Sequence, residues 1–223
     1  MKFKNILSVL LFIIVTIPAI SQPSDVIRNI NTKLSKGETT ISKILSDTSF
    51  MALHSLTPFR EVIKQNAKPE KIKLNSDIEP GIKISINGLV LDKSGNPVAN
   101  KLVYVYQTSS EGWYSDTASH ILIHEGDRRH ARLFGYFKTD LYGKFEFLTI
   151  KPKGYPNSTL PAHIHIEISL NNGQTFVSEL QFDDDPRLVG EVRIRSINEK
   201  FFIAKNSGTK EHPVYSYDIQ ISN

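Results

Sequence analysis

The stretch YPNSTLPAHIHIEISL, Tyr155 to Leu170, sets two histidines and a glutamate in alternation with isoleucines. Successive side chains of an extended strand point to opposite faces. His163, His165, Glu167 and Ser169 therefore share one face, and Ile164, Ile166, Ile168 and Leu170 the other. The two histidines would lie roughly 6.5–7 Å apart along the strand, so their imidazoles can converge on one metal ion. An ordinary half-exposed sheet, with the histidines facing water, gives the same pattern. Two tyrosines weigh toward a metal: Tyr155 precedes His163 by eight residues, and Tyr114 lies in a long loop. Phenolate oxygen is a hard anionic ligand suited to Fe(III), and imidazole serves iron among other metals. The chain has no cysteine and no third histidine close to the pair, so a zinc site of nitrogen and sulfur ligands would be short of donors. A two-histidine, one-carboxylate site for Fe(II) or Cu, from His163, His165 and Glu167, would draw three ligands in succession from one strand and leave the tyrosines unused.

These residues need a rigid frame. From Ile82 onward the apolar pattern has period two. IKISINGLVLD and KLVYVYQ read as strands joined by the turn-rich DKSGNPVAN, and RLFGYFKT and GKFEFLTI read as a pair around Asp140 and Gly143. AHIHIEISL, TFVSELQF, EVRIR and VYSYDIQI bring the total to about eight short strands. Arg193 and Arg195 would share one face of the EVRIR strand and carry no assigned role. No long helix interrupts the series, which predicts a mainly β fold, an antiparallel β-sandwich over residues 77–223. Residues 22–76 differ. Ile27, Ile30 and Leu34, then Ile41, Ile44 and Leu45, recur at helical spacing. Ser24 or Asp25 could cap a first helix, and Thr57 with Pro58 could open a third. This short helical extension, ending in the linker NAKPEKIKLNSDIEPG, is expected to lie on the sandwich or to pair two copies as a homodimer.

The first residues, MKFKNILSVLLFIIVTIPAISQ, read as an export signal. Lys2 and Lys4 start it, Ile6 to Ile17 form its apolar run, and Ala19 and Ser21 are the small residues before a cut after Ser21. The run is shorter than the roughly 20 apolar residues of a membrane span. The expectation is a secreted or periplasmic protein with no membrane span once residues 1–21 are removed. Stability without disulfides must come from a core or a bound metal. Without Lys2 and Lys4, 25 basic and 23 acidic side chains remain, a formal charge of +2. That small excess gives no argument for a nucleic-acid or anionic-membrane partner.

Four segments make a longer pattern: INGLVLDKSGNPVANKLVYVYQTSSEGWYSD, LFGYFKTDLYGKFEFLTIKPKGYP, LPAHIHIEI and FVSELQFDDDP. In this order and spacing they resemble the intradiol ring-cleavage dioxygenases, the family of catechol 1,2-dioxygenase and protocatechuate 3,4-dioxygenase. The resemblance implies a mononuclear non-haem Fe(III) on a β-sandwich, held by two tyrosines and two histidines. Carried onto this chain, the tyrosines are Tyr114, at the end of YQTSSEGWY, and Tyr155, in KPKGYP; the histidines are His163 and His165. It implies cleavage of a small aromatic diol by O2 between the two hydroxylated carbons, giving a cis,cis-muconate type of diacid. The metal acts as Lewis acid and template, and a ligand tyrosine takes a diol proton. Tyr104, Tyr106, Tyr136 and Tyr142 then fall to structural roles.

The chain departs from that family at two positions. Where an arginine usually precedes Pro-Ala-His-x-His, this chain has Leu160, and an electrostatic stabilisation of the substrate would be lost. Where glutamine is usual on the following strand it has Glu179, which would repel a dianionic ring; Gln181, on the same side, could substitute. Both changes support an alternative reading, a non-catalytic transthyretin-like β-sandwich that binds without oxygen chemistry. The loop from Ser109 to His130 is long, and long loops in compact domains are often functional. Its basic run DRRHAR, with Arg128, Arg129, His130 and Arg132, could receive an acidic substrate, and His120 and His124 could make a second metal pair.

Overall fold

The computed structural model describes residues 22–115 and 131–221. The apolar run and the cut expected after Ser21 fall outside them. The chain enters through α1 (Pro23–Ser35), whose first residue has the φ a helix needs. Its N-cap is Gln22, with no side-chain bond, so the helix starts ahead of both expected caps; Asp25 instead lies in the first turn and pairs with Arg28. Ile27, Ile30 and Leu34 form its buried stripe. Thr40 caps α2 (Ile41–Ser46) by accepting from the Lys43 amide, and Ile41, Ile44 and Leu45 go inward. A 3-10 turn (Thr48–Leu53) leads to α3 (Thr57–Gln65), which opens on Thr57 and Pro58 as expected and buries Phe59, Val62 and Ile63.

Two five-stranded sheets follow. In the first, β1 (Ile72–Lys73), β5 (Lys144–Ile150), β2 (Lys83–Leu91) and β10 (Ile219–Gln220) are neighbours in that order, and β9 (Val214–Ser216) also pairs with β2. In the second the order is β4 (Leu133–Lys138), β3 (Leu102–Gln107), β6 (His163–Ser169), β7 (Thr175–Phe182) and β8 (Phe202–Ala204). The long ladders β2–β5, β3–β4, β3–β6 and β6–β7 are antiparallel. The short strands β1, β8, β9 and β10 join them in parallel. Inward residues of both sheets, among them Ile86, Phe147, Val105 and Ile166, belong to one buried cluster that also takes in the helical stripes. The helices therefore lie on the β-sandwich. Among the described residues no helix is long and apolar enough to cross a membrane.

Three local expectations change, the smallest being that VYSYDIQI forms two short strands, β9 and β10, in place of one. EVRIR lies in a helix, α4 (Gly190–Asn198), not in a strand. The parallel pairing of β8 with β7 explains it: two parallel neighbours need a crossover, and a helix supplies one. Arg193 and Arg195 consequently share no strand face, and Arg193 pairs with Asp183 at 2.7 Å. The stretch read as linker contains β1, where Ile72 stands opposite Phe147. A two-residue strand is too short to show a period, yet Ile72 and Leu74 are fully buried.

β1 and its flank press on β4 where that strand has no side chain. A Cβ added at Gly135 would stand 2.5 Å from both Ile72 Cδ1 and Leu74 Cδ2. Gly135→Ala should cost about 1–3 kcal/mol, read as a lower urea midpoint with an unchanged slope. His54 reports on the same region. Its Nδ1 donates to the Arg132 carbonyl at 2.8 Å, and its ring stacks on Phe59. Burial pushes its pKa down to about 4; the Arg60 and Arg132 guanidinium groups push the same way, against that carbonyl bond. An unfolded histidine takes up its proton near pH 6.5, so this stabilisation is complete above 6.5 and is lost as pH falls toward 4. The loss is on the order of 3 kcal/mol. His54→Phe should flatten the difference in urea midpoint between pH 6.5 and 4.5 relative to wild type; parallel pH profiles would contradict the assignment.

Candidate metal centre

Pairing on both sides fixes the register of β6. His165 stands opposite Tyr106 of β3 and Glu179 of β7, and His163 stands opposite Gln181. Both imidazoles are on one face, and that face is buried: His163 is 6% and His165 7% exposed. The half-exposed sheet is thereby excluded. The rings meet edge to face with centroids 4.8 Å apart. Tyr106 stacks on His165 at 4.5 Å, nearly parallel, and holds its plane. The His163 Nδ1 lies 2.9 Å from the Pro161 carbonyl, which can only accept, so the proton is on Nδ1 and the Nε2 lone pair is available.

Both Nε2 atoms point at the two tyrosines. His163 Nε2 accepts from the Tyr155 hydroxyl at 2.8 Å, and His165 Nε2 lies 2.8 Å from the Tyr114 oxygen and 3.5 Å from that of Tyr155. The two phenol oxygens are 2.7 Å apart. The loops that carry them are joined by backbone and side-chain bonds: Lys153 N donates to the Ser109 carbonyl, and the Thr108 hydroxyl to that of Lys153. Their approach is so close that a Cβ at Gly112, where φ is +87°, would stand 2.7 Å from the Gly154 carbonyl. Tyr114 is buried, which pushes its phenol well above the ordinary range, and the neighbouring Tyr155 adds to the effect. Tyr155 is half-buried.

Two phenols able to lose protons and two imidazoles with Nε2 turned inward suit a hard, highly charged cation such as Fe(III). Among the described residues, the carboxylate grouped with the two histidines is not that of Glu167, which stands opposite Tyr104 and Val177 further along the strand. It is Glu179: one ligand atom each of His163, His165 and Glu179 lie within 4.8 Å of one another. Glu179 Oε1 is 3.8 Å from Nδ1 of His165, the side of the ring away from the tyrosines. Gln181 is buried beside it, with Nε2 at 3.4 Å from Glu179 Oε2. Leu160 is 40% exposed, and its carbonyl accepts from Arg187. Of the basic run, Arg132 makes a two-pronged ion pair with buried Glu79 and so is no open receptor for a substrate. Arg128, Arg129, His130, His120 and His124 lie outside the described residues. Tyr104 and Tyr136 stack on each other as structural aromatics, and Tyr142 sits exposed in a turn. Sequence reasoning missed the contact of Tyr106 with His165, which only the β3–β6 register reveals.

The chain matches the family described as Dioxygenase over residues 59–223. It is 36% identical over 120 residues to the protocatechuate 3,4-dioxygenase beta chain of Burkholderia cepacia, covering 48% of each chain. It is 28% identical over 132 residues to catechol 1,2-dioxygenase 1 of Acinetobacter lwoffii, covering 52% of this chain and 40% of that one. It thus spans about half the length of the curated relatives it matches. The fold is similar to the crystal structure of catechol 1,2-dioxygenase from Pseudomonas arvilla C-1, with a TM-score of 0.54, 15% identity, and coverage of 90% of this chain and 77% of that one.

At 3.8 Å from Nδ1 the Glu179 carboxylate is beyond hydrogen-bond reach and acts on the His165 ring through its charge; partners hydrogen-bonded to a ligand imidazole typically change metal affinity about 10–100-fold. For a metal held by the two tyrosines and two histidines, Glu179→Gln should weaken Fe(III) binding by no more than that factor in competition with a chelator, with little change in thermal unfolding. Equal affinity would mean that the carboxylate does not act through His165.

Proposed function

The chain belongs to the dioxygenase family, in its intradiol ring-cleaving branch, and on that premise we propose that it cleaves a catechol-like aromatic diol with O2 between the two hydroxylated carbons. The proposed centre is a mononuclear non-haem Fe(III) held by Tyr114, Tyr155, His163 and His165. The observation that carries the reading is the convergence of two phenol oxygens and two imidazole Nε2 atoms, joined at hydrogen-bonding distances in the chain His163–Tyr155–Tyr114–His165. Bound there, Fe(III) would supply a Lewis acid for the two diol oxygens and so activate the ring toward O2.

The side chains divide the remaining work by their exposure. Tyr114 is buried and bonded to His165, so it serves as a fixed donor. Tyr155 is the more accessible phenol, and its Oη is the atom that takes a diol proton. Pro161 and Tyr106 keep the two imidazoles in the tautomer and plane that metal binding requires. Burial of the histidine face limits water around the reacting groups. Glu179 adds negative charge on this face, and Leu160 brings no cation, which favours a diol without an acidic ring substituent. The same two residues are the support for the non-catalytic binding module; the preserved set of four donors speaks against it. The apolar run Ile6 to Ile17 and the small residues Ala19 and Ser21 support export, to the periplasm or beyond, for this proposed step in aromatic breakdown.

The test is spectroscopic before it is kinetic. Protein loaded with Fe(III) should show a reddish tyrosinate-to-iron band that shifts when catechol is added without oxygen, and admitting oxygen should start oxygen uptake. Tyr155→Phe should weaken the band and slow turnover by about 10²–10⁴-fold. Protein that stays colourless and iron-free after reconstitution would sink the dioxygenase reading.

A further inference from the structure

The segment that carries Tyr155 and leads into His163 has no helix or strand of its own between residues 155 and 162. Two side chains from the loop after β7 hold it. Asp185 Oδ2 accepts from the Ala162 amide at 3.0 Å, while Asp185 Oδ1 accepts from the Arg187 amide at 2.7 Å. Arg187 Nη1 donates to the Tyr155 carbonyl at 3.0 Å and to the Leu160 carbonyl at 3.2 Å. The guanidinium lies against Gly154, where an added Cβ would stand 2.6 Å from Nη1. The loop itself is anchored by Leu188, which is 1% exposed and whose amide donates to the Asp185 carbonyl.

We propose that Asp185 and Arg187 form a clamp that positions Tyr155 and His163, two of the four donors, from an element carrying none of them. The proposal rests on the reading of those two residues as metal ligands. Arg187 fixes the backbone at Tyr155 itself. Asp185 fixes it at Ala162, between the Pro161 carbonyl that orients the His163 ring and His163 itself. A guanidinium thereby reaches the backbone at position 160 from another part of the chain, as a positioning group bonded to carbonyls. Lysine replaces it only in part: both bonds come from the single nitrogen Nη1, and an ammonium matches their number but not the fixed planar direction of the guanidinium N–H groups. The carboxylate also receives two amides at separate oxygens, which asparagine cannot do without turning an NH2 group toward one of them.

The test compares Arg187→Ala, Arg187→Lys and Asp185→Asn with the wild-type chain. In metal-free protein, hydrogen exchange across residues 155–163 should quicken in Arg187→Ala while β2 and β5 keep their protection. After Fe(III) loading, Arg187→Ala and Asp185→Asn should bind iron about 10–100-fold more weakly. At equal occupancy their tyrosinate band should be shifted and weakened, and Arg187→Lys should recover part of both. The two conservative variants carry the test if Arg187→Ala fails to fold. Wild-type protein that takes up no iron overturns the ligand assignment and the clamp with it. Wild-type protein that binds iron, beside folded variants with the same affinity and the same band, overturns the clamp alone.

Discussion

The arrangement depends on the register of one strand. β6 is paired along its length with β3 on one side and β7 on the other, so its side-chain alternation cannot drift. A slip of one residue would turn the imidazoles into the hydrophobic core and the isoleucines onto the phenols. Both faces are buried at the start of this strand, and burial on the polar face is tolerable only where each polar atom finds a partner. The imidazoles find theirs in two phenols and in one carbonyl, and the price of drying this face is met by bonds that also aim the donors.

Those bonds settle the electrostatic character of the cluster. A buried phenol resists ionisation, and once one phenol of a pair 2.7 Å apart is ionised the other gives up its proton still less readily. Such a pair gives up its protons readily only to a centre of high positive charge. The low-dielectric surroundings that disfavour a bare phenolate strengthen its attraction to a cation. For the proposed Fe(III) centre, selectivity for a hard ion would therefore rest on the burial of Tyr114 as much as on the ligand types.

Part of this was legible in the sequence because it is local. The alternation at Ile164, Ile166 and Ile168 marked a strand, the helical stripes at Ile27, Ile30 and Leu34 marked a helix, and both are buried as read. The four residues proposed as donors could be named from short motifs and the resemblance they carry, and the structure brings their side chains together. What the sequence hid depends on partners distant in the chain. Glu167 looked like the carboxylate of the histidine face because it shares the strand, whereas the register brings Glu179 closer. EVRIR alternates like a strand, and only the parallel placement of β8 makes a helix the economical crossover. β1 is too short for any period, and the bonds of Asp185 and Arg187 run to backbone atoms, which leave no residue pattern.

The helical extension is tied to the same strand through a line of stacked groups. The Arg60 guanidinium, projecting from α3, lies over the Phe134 ring at 3.7 Å and donates to the His54 and Ala131 carbonyls. It also bonds the Tyr104 hydroxyl, and Tyr104 stacks on Tyr106 with centroids 5.1 Å apart. Tyr106 in turn stacks on His165. Each contact is individually small, about 1 kcal/mol, but the groups are close-packed and all buried except the partly buried Tyr104, so movement of one disturbs its neighbour. The helix that seals one side of the sandwich therefore also limits the freedom of an imidazole that its own sequence never approaches.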